Sequence, residues 1–220
     1  MVAGVLLGVG GALWWGTPLV LRRVDFFRVQ RIELTGVDYL PVDTIMARLA
    51  EPAGRNVFDG WSDIRRRILA LPGVEAVEIR RRLPGTLRLF IRETAPVALI
   101  PARGRMDLID STGSVLPYDP HAAAPDLPIL ATPDPAAAGL LGRIRAIAPE
   151  LFAEVSLVRR VENDVLLTLD RHRLWLSADA TAVTIMSVVA VSRDLARRGQ
   201  RYTELDGRYA DQVVVRGRAA

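Results

Sequence analysis

The sequence has no cysteine, no lysine and only two histidines among its 220 residues. Without cysteine, disulfide frameworks, thiolate zinc sites, iron–sulfur clusters and cysteine nucleophiles are all excluded. The 29 basic residues are therefore all arginine and face 25 acidic ones, a balance more typical of coding bias than of a nucleic-acid-binding surface. We expect no nucleic-acid partner, and the length leaves room for one large or two small domains.

Signatures of catalysis are also missing. The sequence has no G-x-S-x-G elbow, no Walker loop and no dinucleotide-binding glycine pattern that follows a strand. His121 and His172 have no carboxylate or histidine at helical spacing, so we expect exposed side chains rather than metal ligands. Glu150 and Glu154 are interpreted as neighbours on a helix end. The sequence therefore predicts a protein that is not an enzyme and has no cofactor, metal or small-molecule substrate.

A long uncharged segment opens the chain. The residues from Val2 to Leu21 carry no charge and, as a helix, would span roughly 30 Å, the thickness of the hydrocarbon core of a bilayer. Trp14 and Trp15, followed by an arginine pair, are typical of a membrane boundary. The run ends without a small-residue cleavage site, which favours an uncleaved anchor over a signal peptide. Residues 1–23 are therefore predicted to form a transmembrane helix.

Two features of this anchor have alternative interpretations. Gly4 and Gly8 form a GxxxG pair that would let a second helix pack closely, or they are small-residue filler. The positive-inside rule places the body of the protein in the cytoplasm, because the arginines near the helix all follow it. These are Arg22, Arg23, Arg28 and Arg31. A helix that starts at residue 2 also leads us to expect a lost basic tail before Met1, which would permit the opposite orientation.

Residues 24–95 predict a small domain with the order strand, helix, helix, strand, strand. Alternating residues predict strands near residues 29–34, 77–79 and 87–91, with a tight turn at Pro84-Gly85 between the last two. Apolar residues at helical spacing predict two amphipathic helices. Their apolar faces are Val42, Ile45, Met46 and Leu49 in the first, and Trp61, Ile64, Ile68 and Leu69 in the second.

Residues 96–220 predict a second unit, rich in strands with helices packed against them. Six prolines from Pro117 to Pro135 predict an irregular surface loop rather than a helix or a central strand. Asn163-Asp164 is predicted as a hairpin turn. Helices are expected at about 140–148 and 182–198, and strands at about 155–161, 165–169, 173–176, 202–205 and 212–216. The predicted fold class is thus α+β.

A strand-helix-helix-strand-strand order directly after a membrane anchor resembles a POTRA domain. The run LPGTLRLFIRETAPVALI at residues 83–100 resembles the junction between the POTRA domain and the second domain of the FtsQ/DivIB family of bacterial cell-division proteins. The resemblance continues through LIDSTGSVLP at 108–117, DLPIL at 126–130 and ELDGRYADQVVVRGR at 204–218. These segments occur in the family's order from Phe27 onward.

This resemblance implies a non-enzymatic scaffold of the divisome that binds other division proteins and helps couple them to septal cell-wall synthesis. The implied partners are FtsB and FtsL, together with inner-membrane lipid around the anchor. The implied location is the bacterial inner membrane at the division septum, with a single span and the C-terminal domains in the periplasm. That location conflicts with the literal arginine count.

The candidate binding site is the last predicted strand. Strand-rich modules bind partners by adding a strand at a free sheet edge, and the segment Gln212, Val213, Val214, Val215 and Arg216 lies near the chain end. The continuous valines would equally suit a strand buried inside the sheet. Tyr209 matches the position of a partner-contacting aromatic in the FtsQ/DivIB family, so the resemblance adds Tyr209 to the site.

Two other functions stay open. A POTRA-bearing subunit of an outer-membrane assembly or secretion system would need a β-barrel of many alternating strands after the POTRA unit. An anchored periplasmic hydrolase would need a converging nucleophile, base or metal site, and turnover of cell-wall fragments would reveal it.

Overall fold

The structure, a computed structural model, describes residues 25–49, 54–120, 126–209 and 212–217. They form two compact units that divide between Thr94 and Ala95. The predicted anchor, with Gly4 and Gly8, lies outside the described residues. Within the described ranges, no helix has both the length and the apolar character that crossing a membrane requires.

Unit 1 has the predicted strand-helix-helix-strand-strand order. A short 3₁₀ turn, Asp25–Phe27, precedes it. Its elements are β1 (Arg31–Thr35), α1 (Val42–Leu49), α2 (Ser62–Leu69), β2 (Val74–Arg82) and β3 (Thr86–Glu93). The strand order in the sheet is β1-β3-β2, with β1 parallel to β3 and β2 antiparallel to it. The two helices supply the crossover that a parallel strand pair needs.

The core of unit 1 lies between its helices and one face of its sheet. β3 alternates buried and partly exposed residues, and Leu87, Leu89 and Ile91 are its buried side chains. The helices contribute Ile45, Leu49, Ile64 and Ile68, all buried. The predicted apolar faces of the two helices are thus confirmed at these four positions, but not at three others. Val42, Met46 and Leu69 are exposed, because helices of eight residues bury a stripe too narrow to include the flanking positions.

Unit 2 is built from nine strands and three helices in its described residues. The first strands are β4 (Ala98–Ala102), β5 (Arg105–Ile109), β6 (Val115–Leu116) and β7 (Ile129–Leu130), followed by α3 (Pro135–Ile147) and α4 (Pro149–Glu154). The remainder is β8 (Val155–Val161), β9 (Asp164–Leu169), β10 (Arg173–Ser177), α5 (Ala182–Arg197), β11 (Glu204–Asp206) and β12 (Val214–Arg216). All nine strands join one sheet, in the order β12-β11-β10-β9-β8-β7-β4-β5-β6.

The proline-rich segment contains a central strand, contrary to prediction. Ile129 pairs in parallel with Leu99 of β4 on one side and with Leu157 of β8 on the other. Pro128 precedes this two-residue strand and contributes only its carbonyl, which accepts the Leu99 N–H at 2.9 Å. A proline at that position removes no bond from the ladder, because the missing N–H is not needed there.

Helices α3 and α5 cover the buried face of the sheet and pack against each other. The buried side chains of α3 include Leu140, Leu141 and Ile144, and α5 buries Ile185 and Val188. Asp134 caps α3 by accepting the Ala137 N–H at 2.7 Å, and Pro135 occupies the first turn, where its missing N–H costs nothing.

The β8–β9 hairpin turn lies one residue earlier than predicted. Val161 pairs with Asp164, so Glu162 and Asn163 form the turn. Glu162 adopts a positive φ of 54°. The Asn163-Asp164 pair has the turn chemistry, but Asp164 is already in β9.

Candidate partner-binding site

The last strand, β12, ends the sheet of unit 2. Among the strands of the described residues, β12 pairs with β11 alone. Their register is Glu204↔Arg216, Leu205↔Val215 and Asp206↔Val214. Val214, Val215 and Arg216 are exposed. Of the two alternatives for this segment, the structure has the edge strand, which offers backbone groups to an extended partner segment.

Arg216 fixes this edge strand to its neighbour. Its Nη1 donates to Glu204 Oε1 at 2.8 Å, and its Nη2 lies 3.5 Å from Asp206 Oδ2. Glu204 is buried, and its other carboxylate oxygen lies 3.2 Å from Arg173 Nη2 on β10. The Arg216 carbonyl also accepts the Thr203 N–H at 2.9 Å. The guanidinium of Arg216 is therefore engaged within the sheet, and its contact with a partner stays a prediction.

A second arginine, Arg208, connects β11 with the start of β9. Its Nε and Nη2 donate to the two carboxylate oxygens of Asp206 at 2.8 and 2.6 Å, and its Nη1 donates to Asp164 Oδ2 at 2.9 Å. The Asp206 side chain is fully buried. Hydrogen bonding from Arg208 lowers the pKa of Asp206, and the two carboxylates raise the pKa of Arg208. Both groups are therefore held in their charged forms.

Tyr209 follows this arginine and presents a half-exposed ring, with 46% of the residue surface accessible. The Arg208 guanidinium carbon lies 4.8 Å from the centre of the Trp175 ring and 6.0 Å from that of Tyr209. Because three bonds to carboxylates fix Arg208, it also limits where Tyr209 can lie. Tyr209 is thus an accessible aromatic beside a rigid charged cluster.

Gly207 lets the chain pass close to the core before it reaches Tyr209. Its N–H donates to the Trp175 carbonyl at 2.9 Å. A Cβ at this position would lie 2.8 Å from Val188 Cγ2 and 3.0 Å from Leu176 Cδ2. Only glycine fits here without displacing those side chains. The close approach places residues 207–209 against α5 and β10.

The remaining predicted site residues have different environments. Gln212 is exposed, whereas Val213 is partly buried and packs against the core of unit 2. The Val213 side chain therefore packs on the interior of its own unit, and contact of Gln212 or Val213 with a partner stays a prediction. Gly4 and Gly8, predicted to pack against another helix, lie outside the described residues, as do residues 210–211.

The charged cluster of Asp164, Asp206 and Arg208 beside the edge strand was not predicted from the sequence. Asp164 and Arg208 are 44 residues apart in the chain, and no local pattern links them. The segment Asp206-Gly207-Arg208 does carry a signal, since an aspartate two residues before an arginine permits the bidentate pair that is observed. That signal is common and becomes specific only in the folded sheet.

The two histidines were predicted to be exposed side chains rather than metal ligands. His121 lies outside the described residues. His172 is partly buried rather than exposed as predicted, and its Nε2 lies 3.1 Å from the Tyr202 hydroxyl, which in turn lies 2.9 Å from Ser192 Oγ. Burial lowers the pKa of His172. Across the part of the chain that the structure describes, no group of three or more His, Cys, Asp or Glu side chains is placed to hold a metal ion.

Comparison with known proteins decides the family. Residues 27–94 match the POTRA domain, FtsQ-type. The cell division protein FtsQ of Paracoccus denitrificans is 30% identical over 98% of this chain and 67% of its own length. The chain belongs to the FtsQ family. The resemblance to FtsQ/DivIB proteins that the sequence indicated is thereby confirmed, and unit 1 is a POTRA domain.

Other similar proteins align over shorter parts. FtsQ of Mycobacteroides abscessus is 25% identical over 83% of this chain and 58% of its own length. FtsQ of Zymomonas mobilis is 29% identical over 57% and 43%, so the chain spans about half the length of these two relatives. The major extracytoplasmic domain of DivIB from Geobacillus stearothermophilus has 18% identity and a TM-score of 0.36, covering 48% of this chain and 96% of that one. A likeness that weak does not support comparison of individual residues.

Proposed function

We propose that the protein is a non-enzymatic scaffold of the divisome, anchored in the bacterial inner membrane by residues 1–23. In this role it binds other division proteins and helps couple them to septal cell-wall synthesis. Membership of the FtsQ family supports the role in cell division. Among the strands of the described ranges, β12 pairs with β11 alone; this edge supports the binding role and is the observation that carries the proposal.

The proposed binding surface consists of Tyr209 and β12. An extended segment of FtsB, held with FtsL, would add to the edge of β12 through backbone hydrogen bonds. Val214 and Val215 alternate on the two faces of the strand, so each face offers one exposed apolar side chain to the added segment. Tyr209 contributes an accessible aromatic ring, the kind of side chain that dominates binding energy at interfaces.

The binding experiment uses the two opposite edges of the sheet. Val214→Asp places a charge on the edge of β12, and Tyr209→Ala removes the ring; both are expected to abolish binding to FtsB and FtsL while circular dichroism stays unchanged. Val115→Asp is the matched control, because Val115 is an exposed valine in β6 at the other edge of the same sheet. Full binding by Val214→Asp, or equal losses at both edges, would refute the proposed surface.

The proposed topology places units 1 and 2 in the periplasm, against the arginine count. An enzyme reporter that is active only in the periplasm, fused after Ala220, is expected to be active. Activity of a cytoplasm-specific reporter in its place would reverse the topology. Within the membrane, Gly4 and Gly8 are proposed to let a partner helix approach closely, and replacing both with leucine is expected to weaken that pairing.

Cellular phenotypes separate this role from the alternatives. Depletion of the protein is expected to give filamentous cells, and a tagged copy is expected at midcell. A subunit of an outer-membrane assembly or secretion system would produce neither result. Robust turnover of cell-wall fragments that is lost on replacing one acidic residue would instead establish a hydrolase.

A further inference from the structure

The two most exposed large hydrophobic side chains in the described part of unit 1 lie beside the same short segment. This lead-in segment, residues 25–31, precedes and begins β1. Phe26 belongs to it and is 64% exposed, and Leu83 in the β2–β3 turn is 58% exposed. The turn is bonded to the lead-in segment, because the Gly85 carbonyl accepts the N–H groups of Gln30 and Arg31 at 2.8 and 3.2 Å. Both apolar side chains therefore lie at the end of unit 1 where the chain enters.

Phe26 belongs to a fixed row of aromatic rings. Phe26 and Phe27 pack edge to face with their ring centres 5.2 Å apart, and Phe27 packs the same way on Phe58 at 5.2 Å. The backbone beneath them is tied: the Val57 N–H donates to the Phe27 carbonyl at 2.9 Å, and the Val29 N–H donates to the Arg55 carbonyl at 2.9 Å. The exposed ring is thus held in place by its neighbours rather than free to fold back onto the core.

Arginines accompany these apolar side chains. Arg28 and Arg31 lie in the lead-in segment and are exposed. Arg82 directly precedes Leu83, and its side chain is 61% exposed although its Nη1 lies 3.7 Å from Glu33 Oε1. Arg28 likewise pairs with the exposed Asp25 at 2.9 Å, so lipid phosphates would compete with these two carboxylates. Aromatic and aliphatic side chains interleaved with arginine are typical of surfaces that enter the headgroup layer of a bilayer, where the rings meet the acyl boundary and the cations meet phosphates.

The preceding sequence identifies the surface that this end of unit 1 would meet. The uncharged run Val2–Leu21 ends five residues before Phe26. Five residues reach at most roughly 18 Å when fully extended. If the run spans the bilayer, Phe26 cannot be farther than that from the membrane surface. A lipid surface is therefore within reach of this end of unit 1.

We propose that Phe26, Phe27, Phe58 and Leu83, here called the lead-in surface, dock the POTRA domain on the membrane. Phe26 and Leu83 insert into the headgroup layer, and Arg28, Arg31 and Arg82 contact lipid phosphates. This contact is additional to the transmembrane anchor. The inference rests on the proposed function, in which residues 1–23 anchor the chain in the membrane. The contact limits how far unit 1 can swing away from the bilayer.

The test exploits the absence of cysteine, which permits a spin label at any chosen position of the full chain. Labels are placed one at a time at Phe26→Cys and Leu83→Cys, in protein reconstituted into vesicles of mixed neutral and anionic phospholipids. Val42→Cys is the matched control: Val42 is 52% exposed on unit 1, but it begins α1, beyond the other end of β1. Leu13→Cys reports on the anchor itself. Accessibility is measured with oxygen, which enters lipid, and with a water-soluble nickel chelate.

Labels at 26 and 83 are expected to show an oxygen-to-nickel accessibility ratio several-fold above that at 42. Ratios at 26 and 83 equal to the ratio at 42, with the label at 13 protected from nickel, would overturn the docking while leaving the anchor intact. Nickel access at 13 would instead refute the anchor and with it the proposed topology. Broadening between labels at 26 on two chains would show that a second copy covers this surface, and would also overturn the proposal. Two label positions keep the test decisive if one variant fails to fold.

Discussion

Glu93 Oε2 accepts the backbone N–H of Tyr39 at 2.7 Å. The same oxygen accepts the Asp38 N–H at 2.8 Å, and Oε1 accepts the Leu40 N–H at 2.8 Å. One carboxylate at the end of β3 therefore satisfies three successive donors of the loop that leads into α1. This carboxylate therefore ties the loop between β1 and α1 to the sheet, through hydrogen bonds that a charged acceptor makes stronger than neutral ones.

Glu93→Gln is expected to destabilise unit 1. An amide keeps one acceptor oxygen and turns two N–H donors toward other donors, so at least one backbone group of the loop is left without its bond. We expect a loss of about 2 kcal/mol in the free energy of unfolding, since the site is only partly buried. Amide hydrogen exchange at Tyr39 and Leu40 measures the local effect and is expected to become faster. Glu75→Gln, which removes only an exposed pair with Arg92, is the control and is expected to change little.

Arg208→Gln is expected to destabilise unit 2 by about 3 kcal/mol, because it leaves the buried Asp206 carboxylate without its principal counter-charge. Urea unfolding of the full chain measures the change. Arg197→Gln on the surface of α5, which loses only an exposed pair with Asp194, is the control. Equal midpoints for the two variants would show that the cluster under β12 contributes no more than a surface ion pair.

Gly207→Ala is expected to lower the affinity for FtsB and FtsL while the domain still folds. The added Cβ must displace the side chains of Val188 and Leu176, an overpacking that costs on the order of 1–3 kcal/mol and moves the backbone that carries Tyr209. Gly60→Ala adds the same methyl group where nothing lies within 4 Å, and it is expected to bind normally. Titration of both variants with FtsB and FtsL provides the comparison.

His172 is expected to make stability depend on pH. Burial lowers its pKa in the folded protein, and the charge of Glu154 opposes that shift without cancelling it. As the pH falls below about 6.5, the unfolded chain therefore binds a proton at His172 before the folded protein does. The contribution of neutral, buried His172 to the free energy of unfolding is complete above that pH. It decreases as the pH falls toward the lower pKa of the folded state.

Urea midpoints at about pH 7.5 and about pH 5.5 bracket the ordinary pKa of histidine and measure this effect. His172→Gln is expected to flatten the difference between the two midpoints, and His121→Gln is expected to preserve it. A wild-type midpoint that does not fall at the lower pH would contradict the expectation.

Local periodicity was enough to predict the order of elements in unit 1, since each helix and strand there has its own repeating apolar pattern. It failed where the outcome depended on distant residues. The strand at Ile129–Leu130 is too short to show any period and exists only because β4 and β8 flank it. The candidate site was reached in the same uneven way: the family resemblance pointed to Tyr209 and the sequence to a last strand at the chain end, whereas the Arg208 cluster needed Asp164 from a different hairpin. Partner binding by these residues stays a prediction.

The two-residue strand β7 forms the shortest pairing of the large sheet, a single register pair with β4. One register pair joins β7 to β4 and two join it to β8, while the ladders on either side are longer. We therefore expect the hairpin of β4 and β5, together with β6, to open as a separate foldon while the ladder from β8 to β12 stays intact. In native-state hydrogen exchange, the amides of β4, β5 and β6 should therefore have a lower opening free energy than those of β9 and β10. The β12 edge, which is proposed to receive a partner, would then stay folded while the β6 end of the sheet opens transiently.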